Sequence, residues 1–258
     1  MIVSTSEDNK IPYHNKVILS FNNLITSIDP GLLECNPIVS GSYAIKYIYS
    51  PKSIPNDLDI YFTNQQDFDR ALTLLTHKHK NIYETSNAVS FNDISVQLIK
   101  KDFLPPEELI LNHDLFNVAC AITKDKIFTT LETHYSWYNE EICLQNYQIP
   151  PNPTKEEKLV ALVTLLKRID KYQDRYQLSL SNSLKKFLHE QKPFLEQNMN
   201  LTYSHISEEI LLDYYGTPIV DTYFSASTAL ALLNRLIMES DGFGEWELNQ
   251  NHWTDEFY

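Results

Sequence analysis

Three groups of residues have types and spacings suited to phosphate and metal chemistry: Gly41-Ser42, Asp57-x-Asp59, and single acids further on at Asp93 and Asp114. Carboxylates two apart on a strand point to the same side, about 7 Å apart along the chain, so both can reach one or two hard cations. The intervening Leu58 then faces the core. Magnesium ions about 4 Å apart neutralise a triphosphate, activate an attacking hydroxyl and stabilise departing pyrophosphate, which is why phosphoryl-transfer sites use such acids. A glycine lets the backbone approach phosphates, while a serine hydroxyl and the N–H groups opening a helix donate to them.

The surrounding sequence supplies elements that can hold these groups. Val17, Phe21, Leu24 and Ile25 recur at helical intervals in NKVILSFNNLITSI, and DPG closes that helix. NPIVSGSYAIKYIYS reads as a short strand, a tight turn at Gly41 and a helix; no other glycine occurs between 32 and 215. DLDIYF alternates acids with Leu58, Ile60 and Phe62, the period of a half-buried strand. QQDFDRALTLLTHK is helical, and SFNDISVQLIK reads as a strand with Ile94, Val96 and Leu98 on one side. PPEELIL starts a helix on proline, LFNVACAI reads as a strand, and Lys124-Asp125 turns it into IFTT.

The segment VSGSYAIKYIYSPKSIPNDLDIYF, residues 39 to 62, resembles the core of the DNA polymerase β nucleotidyltransferase superfamily: strand, Gly-Ser, helix, and a strand bearing Asp-x-Asp. Fourteen residues separate Ser42 from Asp57, slightly more than that family's usual gap, and the PKSIP loop absorbs the excess. The resemblance covers roughly residues 15 to 130 and the rest only in outline. It implies an α+β fold, a mixed sheet with flanking helices followed by a C-terminal helical lobe. It also implies magnesium, or manganese, on Asp57 and Asp59, an NTP substrate with its phosphates at Gly41 and Ser42, and a third carboxylate from a neighbouring strand. Gln97 stands mid-strand there; Asp93 shares its face by period 2, though Asn-Asp also suits a turn. Asp114 in HDLFNVACAI is similar to the acid of the R-R-D-F-T-x-N-A motif of tRNA nucleotidyltransferases and poly(A) polymerases, with Asn112 and His113 where arginines would be. The competing reading makes Gly41 a plain turn and leaves the two acids on the solvated face of an edge strand.

After QIPPNPT the composition shifts, and Thr154 with Glu157 three residues on forms a capping box. The expected division is therefore 1–150, catalytic, and 151–258, helical. KEEKLVALVTLLKRIDKYQDRY, SLSNSLKKFLHEQ, SHISEEILLDYY and ASTALALLNRLIM all read as helices, with no strand among them. Lys167 and Lys171 share one helix face and could hold phosphates, or could be spent on exposed ion pairs with Asp170 and Asp174. His77 and His79 end a helix and are expected to meet its negative pole.

Charge and composition narrow the function. Of the net −13, the segment from Pro193 to Tyr258 carries −10, with eleven acids against Arg235 alone, whereas Lys155–Lys192 carries +4. The overall sign weighs against a broad nucleic-acid surface, yet the basic strip can seat a polyanion. Three scattered cysteines argue against zinc and against a disulfide framework, and the absence of an apolar run or signal peptide points to a cytoplasmic protein without a membrane span. There is no P-loop, nucleophile elbow or zincin motif. The expected enzyme is a metal-dependent nucleotidyltransferase moving an NMP group to an acceptor hydroxyl on RNA, protein or a small molecule. Its size is comparable to toxin–antitoxin nucleotidyltransferases, a role that rests on analogy. The alternatives are a non-catalytic relative used as a binding module and an antibiotic-type small-molecule nucleotidyltransferase.

Overall fold

The alternation in DLDIYF becomes a strand, Leu58–Tyr61, with Leu58 and Ile60 buried and Asp59 and Tyr61 half-buried. It lies inside an eight-stranded sheet in the computed structural model, which describes residues 2–4, 14–85, 87–101, 103–147, 149–203 and 224–240. In chain order the strands are β1 (Ile2–Ser4), β2 (Ile38–Ser40), β3 (Leu58–Tyr61), β4 (Ile82–Glu84), β5 (Ala88–Phe91), β6 (Val96–Ile99), β7 (Cys120–Ile122) and β8 (Ile127–Thr130). Across the sheet they run β1-β8-β7-β2-β3-β6-β5-β4. β3 pairs antiparallel with β2 and parallel with β6, the one parallel pairing in a sheet otherwise antiparallel. Asp59 therefore stands on an interior strand rather than an edge, with Asp57 just before it.

The helices are α1 (His14–Ile28), α2 (Ser42–Ile48), α3 (Gln65–Lys78), α4 (Pro106–Leu111), α5 (Leu131–Tyr138), α6 (Lys155–Tyr176), α7 (Asn182–Gln197) and α8 (Ala226–Ser240). One sheet face, with Val39, Ile60, Leu58, Val96 and Leu98, shares a buried cluster with Val17, Phe21 and Ile25 of α1 and Phe68, Ala71 and Leu75 of α3. Burying each large side chain of this kind contributes roughly 1.5–3 kcal/mol. The opposite face has a smaller apolar cluster, Ile38, Ala121 and Phe128 under Leu109 and Ile110 of α4, with Tyr61 packed against it. Because side chains alternate along a strand, Asp59 projects on the same face as Tyr61, beside that smaller cluster.

α6 carries the core into the helical half. Thr154 and Glu157 close the foreseen capping box at 3.1 Å and 2.8 Å. Leu159 to Leu166 are buried without interruption, so the helix runs enclosed for two turns before a polar side emerges at Lys167. The same cluster continues through Leu184 and Leu188 of α7 and Leu233 and Leu236 of α8. An aromatic ladder fixes α6 against the sheet domain: Tyr49 stacks on Trp137 at 5.5 Å, Trp137 meets Tyr176 edge-on at 5.2 Å, and Tyr176 stacks on Tyr172 at 5.9 Å.

Four expectations need correction. SFNDISVQLIK is a hairpin, because Asn92 to Ser95 form a turn with Ser95 at φ 52°, so Ile94 lies in the turn although the alternation runs across it. LFNVACAI opens with a 3-10 turn, Phe116–Val118, and only Cys120–Ile122 is strand. Short strands do occur beyond residue 150: Ser179–Leu180 pairs with Glu141–Ile142, and Thr202–Tyr203 with Phe224–Ser225. His79 caps the end of α3 through its backbone N–H, which donates to the Leu75 carbonyl at 2.9 Å, but its imidazole turns to Asp93, with Nδ1 2.6 Å from Oδ2. The foreseen helix SHISEEILLDYY and the acidic end from 241 lie outside the described residues. Among the described residues no helix is long and apolar enough to cross a membrane, and Cys35, Cys120 and Cys143 are free thiols.

Candidate active site

β2 ends at Ser40, the chain reverses at Gly41 with φ 68° and ψ −138°, and α2 starts at Ser42. Only glycine adopts that backbone conformation without strain. No atom beyond its chain neighbours lies within 4 Å of where a Cβ would stand, so the turn faces open space. The β2–β3 register pairs Val39 with Ile60; continued by one residue, it sets Ser40 beside Asp59. Ser40 Oγ donates to the Cys120 carbonyl at 2.7 Å and lies 2.8 Å from His113 Nε2. Its one hydrogen is then used, so the imidazole donates. His113 is neutral, its pKa held down to about 3 by burial and by the Arg168 charge.

On the other side of β3, Asp59 pairs in register with Gln97 of β6, and Gln97 in turn with Ser90 of β5. Asp57 sits just before β3, exposed, and lines a polar pocket of about 60 Å³ with Ser90, Asn92, Ser95 and Gln97. Burial, and then the Asp57 carboxylate, push the Asp59 pKa up to about 7, while Lys171 and Arg168 draw it down. Asp59 is thus a half-buried carboxyl whose ionised form is only part-compensated, the condition in which an added cation favours ionisation.

The compensating side chains come from α6, after its enclosed stretch. Arg168, Lys171 and Arg175 recur at helical spacing. Arg168 Nε lies 2.8 Å from Asp114 Oδ2, and Arg175 Nη2 donates to Asn56 Oδ1 at 3.2 Å, beside Asp57. Burial works against the Arg168 charge, but Asp114 ahead of Tyr172, Tyr61 and Asp59 raises its pKa on balance. The Lys171 ammonium is pushed below its usual range by burial and by Arg175 and Arg168, against the pull of Asp59 and Asp57. Asp114 Oδ1 is buried with no hydrogen-bond partner, an acceptor left open beside these cations.

The expected residues are thus brought together unevenly. Asp57, Asp59 and the Gly41-Ser42 turn share one end of β2 and β3, and the Lys171 charge acts on Asp59 and Asp57. Asp114 joins through Arg168 rather than directly. Asp93 stands in the β5–β6 turn, paired with His79. Lys167 is half-buried, its ammonium pushed down by burial, while the cations acting on Asp59 are Lys171 and Arg168. Asp170 Oδ1 pairs with Arg235 of α8 at 2.7 Å. The sequence reading passed over Arg168 and Ser40; the i, i+3, i+7 run of Arg168, Lys171 and Arg175 was the available signal for the first. For metal, Asp57 and Asp59 offer hard oxygen ligands of the kind a divalent cation takes. Among the described residues no group of three or more His, Cys, Asp or Glu side chains could hold one.

A family model described as Gabija anti-defense 2 family protein matches residues 13–139, just under half of the chain. No curated protein matches it. Solved structures that resemble it include the Thermotoga maritima CCA-adding enzyme complexed with tRNA-CCA, at 11% identity and TM-score 0.50 over 88% of this chain and 53% of that one. A CCA-adding enzyme complexed with CTP aligns at 12% and 0.52 over 88% and 49%, and a tRNA-processing enzyme in an apo form at 12% and 0.52 over 93% and 62%. The chain therefore spans about half to three fifths of the length of these proteins. At such identity the likeness carries the fold alone. The chain has a nucleotidyltransferase fold, a mixed sheet with flanking helices followed by a helical C-terminal region.

Proposed function

We propose that the protein is a nucleotidyltransferase that moves an NMP group from an NTP to an acceptor hydroxyl, in a cleft between a sheet lobe (1–150) and a helical lobe (151–258). One observation carries the reading: Asp57 and Asp59 stand at the start of β3, level with the open turn after β2, where Arg175 of α6 reaches Asn56 beside Asp57 and the charges of Lys171 and Arg168 act on Asp59. Acids on one wall and cations on the other suit a magnesium- or manganese-bearing triphosphate. Lys171 and Arg168 attract the phosphates, and the Gly41-Ser42 turn offers backbone and hydroxyl donors to the β and γ groups. Asp57 and Asp59 would hold the cation, which when bound withdraws charge from the phosphates. The acceptor oxygen forms a bond to the α-phosphorus, the bond to the β-phosphate oxygen breaks, and pyrophosphate leaves as the hydroxyl proton passes to solvent or base. Asp114 acts through Arg168, holding it toward Asp59.

The fold's neighbours include structures with CTP, ATP and tRNA, which supports an NTP as substrate. The match to the Gabija anti-defense 2 model directs the search for an acceptor toward the defence components named by that family. The test supplies magnesium and each α-labelled NTP with total RNA, bacterial lysate or low-mass hydroxyl compounds. Label transfer lost in Asp57→Ala and Asp59→Ala supports the enzyme; transfer unchanged in both refutes the assigned site. A second reading, a nucleotide-binding module without catalysis, is favoured by Gln97 standing level with Asp59. It predicts saturable NTP binding with no transfer to any acceptor.

A further inference from the structure

α5 inverts the usual pattern of a surface helix, which turns an apolar face to the core and a polar face to water. Its buried residues are Thr133 and Ser136, whose hydroxyls donate to the Ala119 carbonyl at 3.2 Å and the Glu141 carbonyl at 2.6 Å. Trp137 packs against the core and donates to the Asn117 carbonyl at 3.0 Å. Outward stand Leu131, Tyr135 and Tyr138, exposed by 46%, 64% and 87%, three of the ten exposed large apolar side chains among the described residues. Spacings of four and three set them in one stripe. Leu131 and Tyr135 also line a groove of about 380 Å³ with Phe116, Cys143, Leu144 and Ser183. Single exposed apolar residues are ordinary, but a stripe beside an apolar groove marks an interface, and tyrosine and phenylalanine are enriched at the centres of such contacts.

Charge indicates what fits there. From Ile127 to Thr154 the chain has no lysine or arginine, while Glu132 lines the groove and Glu140 follows Tyr138 by two residues, both of them exposed. Across the groove α7 contributes Ser183, with Lys185 and Lys186 soon after it. The α5 side is thus acidic throughout, which repels a phosphate backbone. A second copy would bring another net −13 to the contact. The segments 204–223 and 241–258 hold four and five acids and no lysine or arginine, so their charge has the sign of the rim. We propose that the α5 stripe and its groove dock a segment of a partner protein that carries apolar anchors at helical spacing, flanked by lysine or arginine. The anchors enter the groove beside Leu131 and Tyr135, and the basic residues lie along α5 against Glu132 and Glu140. This surface stands apart from the nucleotide reading and does not depend on it.

The test uses two fluorescein-labelled amphipathic peptides of leucine with lysine and of leucine with glutamate, titrated with the full chain and read by fluorescence anisotropy. The leucine–lysine peptide is expected to bind saturably, and the leucine–glutamate peptide at least tenfold more weakly. Leu131→Ser with Tyr135→Ser should weaken the first peptide tenfold or more at unchanged Tm, since both side chains are exposed. Glu132→Gln with Glu140→Gln should weaken it and flatten its salt dependence, whereas Glu34→Gln with Asp69→Asn, the same charge change elsewhere, should leave it unmoved. Equal binding of the two peptides, binding that survives the double serine variant, or an equal loss from the distant pair overturns the proposal. A wild-type dimer in light scattering that Tyr135→Ser disperses gives the surface to a second copy and overturns it as well.

Discussion

Replacing Asp59 with asparagine is expected to stabilise the cation-free protein at pH 8. Burial and Asp57 raise that carboxyl from 3.8 to about 7. The native state therefore grips this proton more tightly than the unfolded chain does. The penalty for ionising it is fully present above pH 7 and disappears as the pH falls through 7 toward 3.8. At 1.36 kcal/mol per tenfold change in proton affinity, the difference corresponds to about 4 kcal/mol as an upper bound. Asparagine keeps the shape and gives up attraction to Lys171 and Arg168, so about half, roughly 2 kcal/mol, should be recovered. For a chain of this size that is a rise of roughly 4–8 °C in Tm. Differential scanning fluorimetry in chelator reads it: the variant melts higher at pH 8, and the gap shrinks to less than half at pH 5. Magnesium should then raise the wild-type Tm and leave the variant unmoved. A variant no more stable than wild type at pH 8, or a gap equal at pH 5 and pH 8, refutes the account of Asp59.

Gly41→Ala should cost about 1–3 kcal/mol in urea denaturation, because the backbone at φ 68° strains any side chain even though open space surrounds it. Arg168→Met should lower stability by about 2 kcal/mol. This is less than for a fully buried pair, since the guanidinium side chain is 36% exposed and Asp114 16%, and adding Asp114→Asn should recover most of it in a double-mutant cycle. Thr154→Ala should cost about 1 kcal/mol by thermal melt through loss of the capping box, with Thr154→Ser nearly neutral.

Much of the fold could be read from residue order because local signals there agree with tertiary placement. α6 begins at the capping box and ends where the apolar spacing ends, and β3 shows in its alternation because one face is buried and the other is not. The β5–β6 hairpin was hidden for the opposite reason. Ile94, Val96 and Leu98 keep period 2 through a turn whose left-handed residue is Ser95 rather than glycine. α5 went unseen because its apolar residues point outward as well as inward: Leu131, Tyr135 and Tyr138 are all exposed. In the site, types and spacing pointed to Asp57, Asp59 and Gly41, whose placement at one end of β2 and β3 depends on local geometry. The Arg168–Asp114 pair joins positions 54 apart, and no short-range pattern announces it.

The parallel pairing of β3 with β6 also governs the order in which the molecule can be assembled during synthesis. A strand with a parallel neighbour cannot be finished by a tight hairpin, so the acids wait for α3, β4 and β5 to emerge before Gln97 docks beside them. The cations arrive later still, since Lys171 follows Asp59 by more than a hundred residues, on the order of ten seconds at ribosomal speed. A nascent chain of this protein therefore exposes an uncompensated pair of carboxylates before it owns the helix that balances them.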